Sequence, residues 1–243
     1  MICCIVTEPE ISSPFEYHAS IHRRSPMPTS RNVVLYSIIF LGLQTFPAGA
    51  YFFQSELGLF SEASSVGKTP PGCKAEFNAA AGEYRITGGG NNMWDTGDDF
   101  YFVWKKISGD VTLTADIRFL GTSPAEHRKA VLMVRQNLDR GSAYADVAVH
   151  GNGLTSLQFR GAENEHTYQI FTQTDQPARV RLVRHGSQFR MYSGRPDGEL
   201  KASDPVEYIS LKDPVYLGLG VCSHVATAVE TAVFSNVSVE GGK

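Results

Sequence analysis

The chain has 243 residues, of which 42% are hydrophobic and 19% are charged, and its formal net charge is -3 at pH 7. This length allows one or two domains with a sizeable core, and 23 glycines suit a protein of strands and turns better than a helical one. The slightly acidic balance leaves no basic stripe, which argues against nucleic acid as a partner.

The first 50 residues have the pattern of an export signal. An apolar run over residues 33–43 follows an arginine. It is too short to cross a bilayer, which takes about 18 residues or more. Residues 48–50 read Ala-Gly-Ala, a cleavage pattern of small residues, and Met27 is an alternative start that gives a signal of ordinary length. We therefore predict a leader over residues 1–50, a mature domain over residues 51–243 and a secreted or periplasmic location. The alternative is an uncleaved leader that anchors the protein to a membrane.

The chain beyond residue 51 has the pattern of an all-β protein. Runs rich in Val, Phe, Tyr, Thr and Leu are separated by turns that contain glycine, and no helical period lasts longer than one or two turns. The predicted strands cover residues 74–77, 83–87, 99–107, 110–119, 130–136, 143–150, 154–160, 168–172, 178–185, 188–193, 214–222 and 227–239.

Three predicted hairpins separate apolar from polar side chains. The apolar pairs are Trp104–Leu113, Phe102–Ala115 and Phe100–Ile117 across residues 108–109, Leu182–Met191 and Val180–Ser193 across residues 186–187, and Val147–Leu157 and Ala145–Phe159 across residues 151–153. The polar face of the third hairpin carries Tyr144, Asp146, His150, Gln158 and Arg160. Alternation of this kind indicates antiparallel sheets with one buried and one solvated face. Two such sheets packed together form a sandwich.

Several segments keep a common order and spacing. They are residues 84–94 (YRITGGGNNMW), 98–110 (DDFYFVWKKISGD), 134–135, 150–160 (HGNGLTSLQFR), 181–186 (RLVRHG), 218–224 (GLGVCSH) and 233–239. Together they resemble a family of concanavalin A-like (lectin/glucanase) domains of unassigned function. Domains of that family occur as secreted proteins and as C-terminal modules after Tol-type β-propellers. The resemblance implies a jelly-roll sandwich over roughly residues 52–240. By analogy with lectins it also implies a glycan-facing role.

Paired carboxylates for glycoside hydrolysis do not stand out in the sequence. Sandwich glycosidases place two carboxylates on either side of the glycosidic bond, usually from a Glu-x-Asp-x-x-Glu strand, and this motif is not found. Glu163 and Glu165 are the nearest substitute, in a predicted loop. A glycoside-active hydrolase therefore remains the alternative, and it requires that Asp116, Asp146 or Glu165 pair in a cleft.

Metal sites have only weak support in the sequence. An oxygen-rich segment that could suit calcium contains Asn91, Asn92, Asp95, Asp98 and Asp99, although such residues also form turns for local backbone reasons. No two of the later histidines have the helical spacing of a zinc site. No cofactor is predicted, and calcium is kept as an alternative.

Two cysteines remain once the predicted leader is removed. Cys73 and Cys222 lie near opposite ends of the folded region. In an oxidising compartment they are candidates for a disulfide, and two separate thiols are the alternative.

The functional prediction is an exported, non-catalytic module that binds carbohydrate or another cell-envelope glycan. Trp94 and Tyr192 are expected to stack on sugar rings. The expected hydrogen-bonding residues are Arg135, His150, Gln158, Arg160 and His224. The remaining interpretation is a structural domain that contacts another envelope protein.

Overall fold

The computed structural model describes residues 56–172, 174, 178–203 and 207–243. The leader predicted over residues 1–50 lies outside this part of the chain. The strands are β1 (Glu62–Val66), β2 (Lys74–Asn78), β3 (Glu83–Gly90), β4 (Met93–Trp94), β5 (Gly97–Asp98), β6 (Phe100–Ile107), β7 (Val111–Phe119), β8 (Lys129–Arg135), β9 (Tyr144–His150), β10 (Thr155–Arg160), β11 (Tyr168–Phe171), β12 (Arg179–His185), β13 (Gln188–Gly194), β14 (Lys201–Ala202), β15 (Glu207–Tyr208), β16 (Val215–Cys222) and β17 (Val225–Gly241). The described residues form no helix that is long and apolar enough to cross a membrane.

Two large antiparallel sheets make up the fold. The seven-stranded sheet has the order β1-β6-β16-β8-β9-β10-β11, and the eight-stranded sheet has the order β14-β13-β12-β7-β17-β3-β2 with β15 beside β13. Their facing sides share one core, in which Leu132 and Val147 of the first sheet pack with Leu113 and Phe234 of the second. The predicted all-β jelly-roll sandwich is therefore confirmed.

Two of the three predicted hairpins have the expected register. In the β12–β13 hairpin, Leu182 pairs with Met191. In the β9–β10 hairpin, Val147 pairs with Leu157, as the three-residue turn requires. In each hairpin the two strands are neighbours within a single sheet, so the alternation in sequence identified the true partners.

The third predicted hairpin is wrong. Strands β6 and β7 lie in different sheets, where β6 pairs with β1 and β16 while β7 pairs with β12 and β17. Phe100, Phe102 and Trp104 are buried as expected, but not against Leu113 and its neighbours. Alternation could not reveal the error, because β6 is buried on both of its faces.

Phe100, Phe102 and Trp104 belong to a second apolar cluster. It lies on the face of the seven-stranded sheet turned away from the other sheet, hereafter the outer face, and its other members are Val66, Met93, Val131, Met133, Tyr144, Ala148 and Cys222. Glycines on β16 make room for it. A Cβ atom at Gly220 would lie 2.8 Å from the ring of Phe100, and one at Gly218 would lie 2.8 Å from the ring of Phe102. The outer face is therefore partly a second core rather than a solvated surface.

The two cysteines are separate thiols, which corrects the disulfide considered from sequence. Cys73 Sγ donates to the carbonyl of Pro70 at 3.4 Å, just before the edge strand β2 of the eight-stranded sheet. Cys222 is buried on β16 in the other sheet, where its Sγ donates to the carbonyl of Gly90 at 3.6 Å. The two thiols therefore belong to different parts of the sandwich, one before a strand of the eight-stranded sheet and the other on a strand of the seven-stranded sheet.

Candidate functional site

A cavity with an empty volume of about 450 Å³ opens on the outer face of the seven-stranded sheet. It is lined by Asn92, Trp94, His127, Lys129, His150, Leu154, Gln158, Gln169 and His224. Four of these residues, Trp94, His150, Gln158 and His224, were predicted as ligand-binding residues from the sequence. The fold therefore brings together residues from distant parts of the chain, such as Trp94 and His224.

The floor of the cavity comes from four neighbouring strands. Lys129 is the Cα partner of His150 across β8 and β9, and Gln158 is the partner of Gln169 across β10 and β11. Successive side chains of a strand point to opposite faces, so each strand can place alternate residues on the outer face. Gln158 Nε2 donates to Gln169 Oε1 at 3.3 Å, which joins two strands below the cavity.

One wall of the cavity is the indole of Trp94, which is held by Lys129. The Lys129 ammonium lies 5.5 Å from the centre of the indole ring. It also donates to Asn92 Oδ1 at 3.1 Å and to the carbonyl of Met93 at 2.6 Å. A cation over the face of Trp is attractive, so Lys129 fixes the segment that carries Trp94 onto the sheet.

Three histidines line the cavity side by side. The ring of His127 lies 5.7 Å from the ring of His150 and 5.7 Å from that of His224, in edge-on contacts. Burial, followed by the nearby Lys129 charge, lowers the pKa of His150 to about 3. Burial also lowers the pKa of His224, helped by Lys129 and His127. Both imidazoles are therefore neutral at pH 7 and offer hydrogen bonds without charge.

His224 has a backbone conformation that few residues with side chains adopt. Its φ is 58°, in the left-handed region, at the turn from β16 to β17. For an L-residue this region costs on the order of 1–2 kcal/mol relative to the right-handed one. Such outliers concentrate at functional positions, where the surrounding structure holds them in place. The backbone conformation of His224 therefore indicates a functional position, independently of its place in the cavity.

A carboxyl group is buried on β9, on the same face of the sheet as the lining residues His150 and Gln158. Asp146 is the Cα partner of Gln158 and has no exposed surface. Among the described residues, neither Asp146 carboxyl oxygen nor Gln158 Oε1 has a hydrogen-bond partner. Burial raises the pKa of Asp146 well above its ordinary value, against the opposing charge of Lys129. Asp146 is thus held towards its protonated, uncharged form.

Arg135 and Arg160 do not line the cavity, although the sequence predicted both as hydrogen-bonding residues of the ligand site. Both side chains have no exposed surface, and they pair with the equally buried Asp98. Arg160 Nη1 and Nη2 each donate to one Asp98 oxygen at 2.9 Å, and Arg135 Nη2 lies 3.5 Å from Asp98 Oδ2. Arg160 also donates to the carbonyl of Asp95, and Arg135 to that of Asp139. These guanidinium groups therefore bind the segments that carry Asp95, Asp98 and Asp139 to the sheet.

The oxygen-rich segment does not fit a calcium ion. Arg140 Nε and Nη2 donate to the two oxygens of Asp99 at 2.8 and 3.1 Å, and the backbone N–H of Lys68 donates to Asp99 Oδ1 at 2.9 Å. Both Asp98 oxygens already accept from Arg160. Because protein cations and N–H groups take up these carboxylates, they do not form a coordination shell, and the described residues contain no other group of acidic, His and Cys side chains suited to a metal.

Tyr192 lies away from the other predicted site residues. It is on β13 of the eight-stranded sheet, as the Cα partner of Arg181. There it lines a separate open depression with Arg181, Thr114 and Glu199. The predicted ligand-binding residues therefore do not share one surface, because Tyr192 lies on the eight-stranded sheet and the cavity on the seven-stranded one.

Sequence reasoning missed several lining residues. His127, Lys129, Leu154 and Gln169 were not singled out, and Asn92 was considered only as a calcium ligand. For Lys129 a signal existed, because it is in step with Val131 and Met133 on β8 and so belongs to the outer face. His127 lies in a segment between strands, where no alternation of side chains predicts which surface the imidazole faces.

Comparison with solved structures supports the sandwich fold. The chain is similar to a functionally unknown protein from Saccharomyces cerevisiae, with 12% identity, 74% of this chain and 97% of that chain covered, and a TM-score of 0.56. It is also similar to the carbohydrate-binding module CBM66 from Bacillus subtilis, with 20% identity, coverage of 75% and 98%, and a TM-score of 0.48. For lectin II from Ulex europaeus the identity is 7%, the coverage 75% and 100%, and the TM-score 0.43.

At such identities a likeness concerns the fold alone. The order of the two sheets and the likeness to the yeast protein agree on an antiparallel sandwich of two sheets. No family model matches the chain, and no curated protein matches it.

Proposed function

We propose that the protein is an exported, non-catalytic module that binds carbohydrate in the cavity on the outer face. The observation that carries the proposal is the convergence of Trp94, His150, Gln158 and His224 on one depression. An aromatic wall beside a few polar groups is the usual composition of a small-ligand site.

The chemistry of the cavity suits an uncharged polyhydroxyl ligand. The indole of Trp94 offers an apolar face against which the C–H groups of a sugar ring can pack. His150 Nδ1 lies 3.0 Å from the carbonyl of Leu154. Because a carbonyl only accepts, Nδ1 carries the proton of the neutral ring and Nε2 is left as an acceptor. A sugar hydroxyl can donate to such an atom.

A hydrolase on the same sandwich is the second candidate, and Asp146 is the observation in its favour. A carboxyl group whose pKa is raised by burial has the property of a general acid. Glycoside hydrolysis needs a second carboxylate nearby. Asp116 instead pairs with Arg179 in the other sheet, and Glu165 is exposed in a loop. The nine residues that line the cavity include no carboxylate, so binding without hydrolysis is the better-supported function.

The binding test compares wild type with Trp94→Ala on a glycan array and by titration calorimetry. We expect wild type to bind a glycan and Trp94→Ala to bind it at least about tenfold more weakly, a loss of about 1.4 kcal/mol. Tyr208→Ala is the matched control, because Tyr208 is an exposed aromatic of β15 in the other sheet. Failure of wild type to bind any glycan, or equal binding by Trp94→Ala, contradicts the proposal.

The exported location is supported by the apolar run and the Ala-Gly-Ala pattern that ends at residue 50. The full chain should be produced in a secreting bacterial host and the N-terminus of the product sequenced by mass spectrometry. We expect product outside the cytoplasm that begins at or near Tyr51. Full-length chain that stays in the cytoplasm contradicts export but leaves the carbohydrate proposal standing.

A further inference from the structure

The lining of the cavity extends across four adjacent strands. Lys129 lies on β8, His150 on β9, Gln158 on β10 and Gln169 on β11, and these strands are consecutive neighbours in the sheet. Strands lie about 4.8 Å apart, so the lining spans about 14 Å. This width exceeds that of one sugar ring. The lining also reaches β11, which is the edge strand of the sheet.

An exposed aromatic residue lies at that edge. Phe171 follows Gln169 by two positions on β11, so both side chains are on the outer face. Its Cα partner is Ser156, which precedes Gln158 by two positions on β10. The side chain of Phe171 is 53% exposed, whereas Ser156 and Gln158 are buried. The phenyl ring therefore offers an open apolar platform on the same face as the cavity, at the edge of the sheet.

Hydrogen bonds hold the side chain of Gln169, the cavity-lining residue two positions before Phe171. Ser156 Oγ and Gln158 Nε2 both donate to Gln169 Oε1, at 3.1 and 3.3 Å. The Gln169 amide oxygen is thereby held by two side chains of β10.

We propose that Phe171 forms a second sugar subsite, so that the protein binds an oligosaccharide of two or more units rather than a single sugar. This inference rests on the carbohydrate-binding function proposed above. One unit occupies the cavity beside Trp94 and His150. The next unit passes Gln169 and packs on the ring of Phe171.

The chain offers a matched control on the same strand. Tyr168 is 60% exposed, but it is three positions from Phe171 and so faces the other side of β11. There its ring stacks on Phe159 with 6.0 Å between the ring centres. Loss of Tyr168 removes an exposed aromatic from the edge strand without touching the outer face.

The test is titration calorimetry of the full chain with mono-, di- and trisaccharides of glucose, galactose, mannose, fructose, xylose and N-acetylglucosamine. In a series that binds, we expect the disaccharide to bind at least about tenfold more tightly than the monosaccharide. Phe171→Ala should abolish that gain and leave monosaccharide affinity unchanged. Tyr168→Ala should keep the gain, and thermal melting should show that both variants fold.

Three results overturn the inference. If the monosaccharide binds as tightly as longer sugars and Trp94→Ala removes that binding, the carbohydrate function stands and the second subsite falls. If no series binds to wild type, both proposals fall. If Phe171→Ala changes only the elution volume in size-exclusion chromatography, the β11 edge is a protein-docking strand instead.

Discussion

At the scale of single residues, His150 shows how burial sets the chemistry of the cavity. Its pKa falls to about 3 in the folded protein, whereas an unfolded histidine titrates near 6.5. Between these values the unfolded chain binds more protons, so acidification lowers the free energy of unfolding by up to about 1.4 kcal/mol per pH unit. Asp146 acts in the opposite direction, because its raised pKa contributes stability in acid that is lost as the pH rises.

Substitution of His150 separates the two effects. We expect wild type to lose roughly 2 kcal/mol more stability than His150→Gln between pH 6.5 and pH 4.5. The variant lacks the contribution of His150 to the pH dependence but keeps that of Asp146. Urea unfolding at pH 7.5, 6.5, 5.5 and 4.5 measures it. The other groups facing His150 are Lys129, His127 and His224, and they are present in both proteins. Parallel stability curves for the two proteins would show that His150 titrates normally.

His224 and Trp94 were predicted from residue type, and their meeting in one cavity supports the prediction without testing it. Arg135 and Arg160 were selected on the same ground, as planar hydrogen-bond donors. The difference lies in their surroundings, because both arginines face Asp98. Residue type alone does not distinguish a donor that is free for a ligand from one that already has a buried partner.

At the scale of elements, the short β4–β5 hairpin decides where the cavity lies. It carries Trp94, and it is held to the sheet through Asp98. Breaking a buried ion pair leaves an uncompensated charge and costs about 3–5 kcal/mol. We therefore expect Asp98→Ala to lower the free energy of unfolding by about that amount and to shift the fluorescence of Trp94 towards that of a solvated indole.

Arg140→Ala provides the comparison for this prediction. Arg140 also pairs with the segment, through Asp99, but its side chain is 56% exposed. Exposed ion pairs contribute about 1 kcal/mol or less. Equal losses of stability in Asp98→Ala and Arg140→Ala, measured by urea unfolding, would show that the Asp98 cluster does not hold the hairpin.

The strands themselves were largely predictable. Each of the twelve predicted strands corresponds to one in the structure, because the alternation of apolar and polar side chains reflects a local periodicity. The five that were not predicted are β1, β4, β5, β14 and β15, and most of these have only two residues. Such short pairs depend on their partner rather than on their own sequence.

At the scale of the whole molecule, the two layers keep the cysteines apart and protect them unequally. Cys222 is fully buried, and burial raises its pKa to about 11, whereas Cys73 is partly exposed. Because the thiolate is the reactive form, we expect iodoacetamide to label Cys73 in the native protein and Cys222 only after unfolding. Peptide mass spectrometry across a urea series measures both. A peptide that joins the two cysteines, or equal labelling in the absence of urea, would contradict the structure.

The period of the side chains was enough to infer an antiparallel sandwich and two of its hairpins, since a register shift of one residue would turn apolar side chains outward. It could not assign β6 and β7 to different sheets, because β6 is buried on both faces and its pattern fits either arrangement. Nor could it reveal that Arg135 and Arg160 face Asp98, or that Tyr192 lies on the opposite layer. Those features depend on contacts between distant segments, which a local pattern does not encode, and they leave Trp94, His150, Gln158 and His224 as the predicted residues that share the cavity.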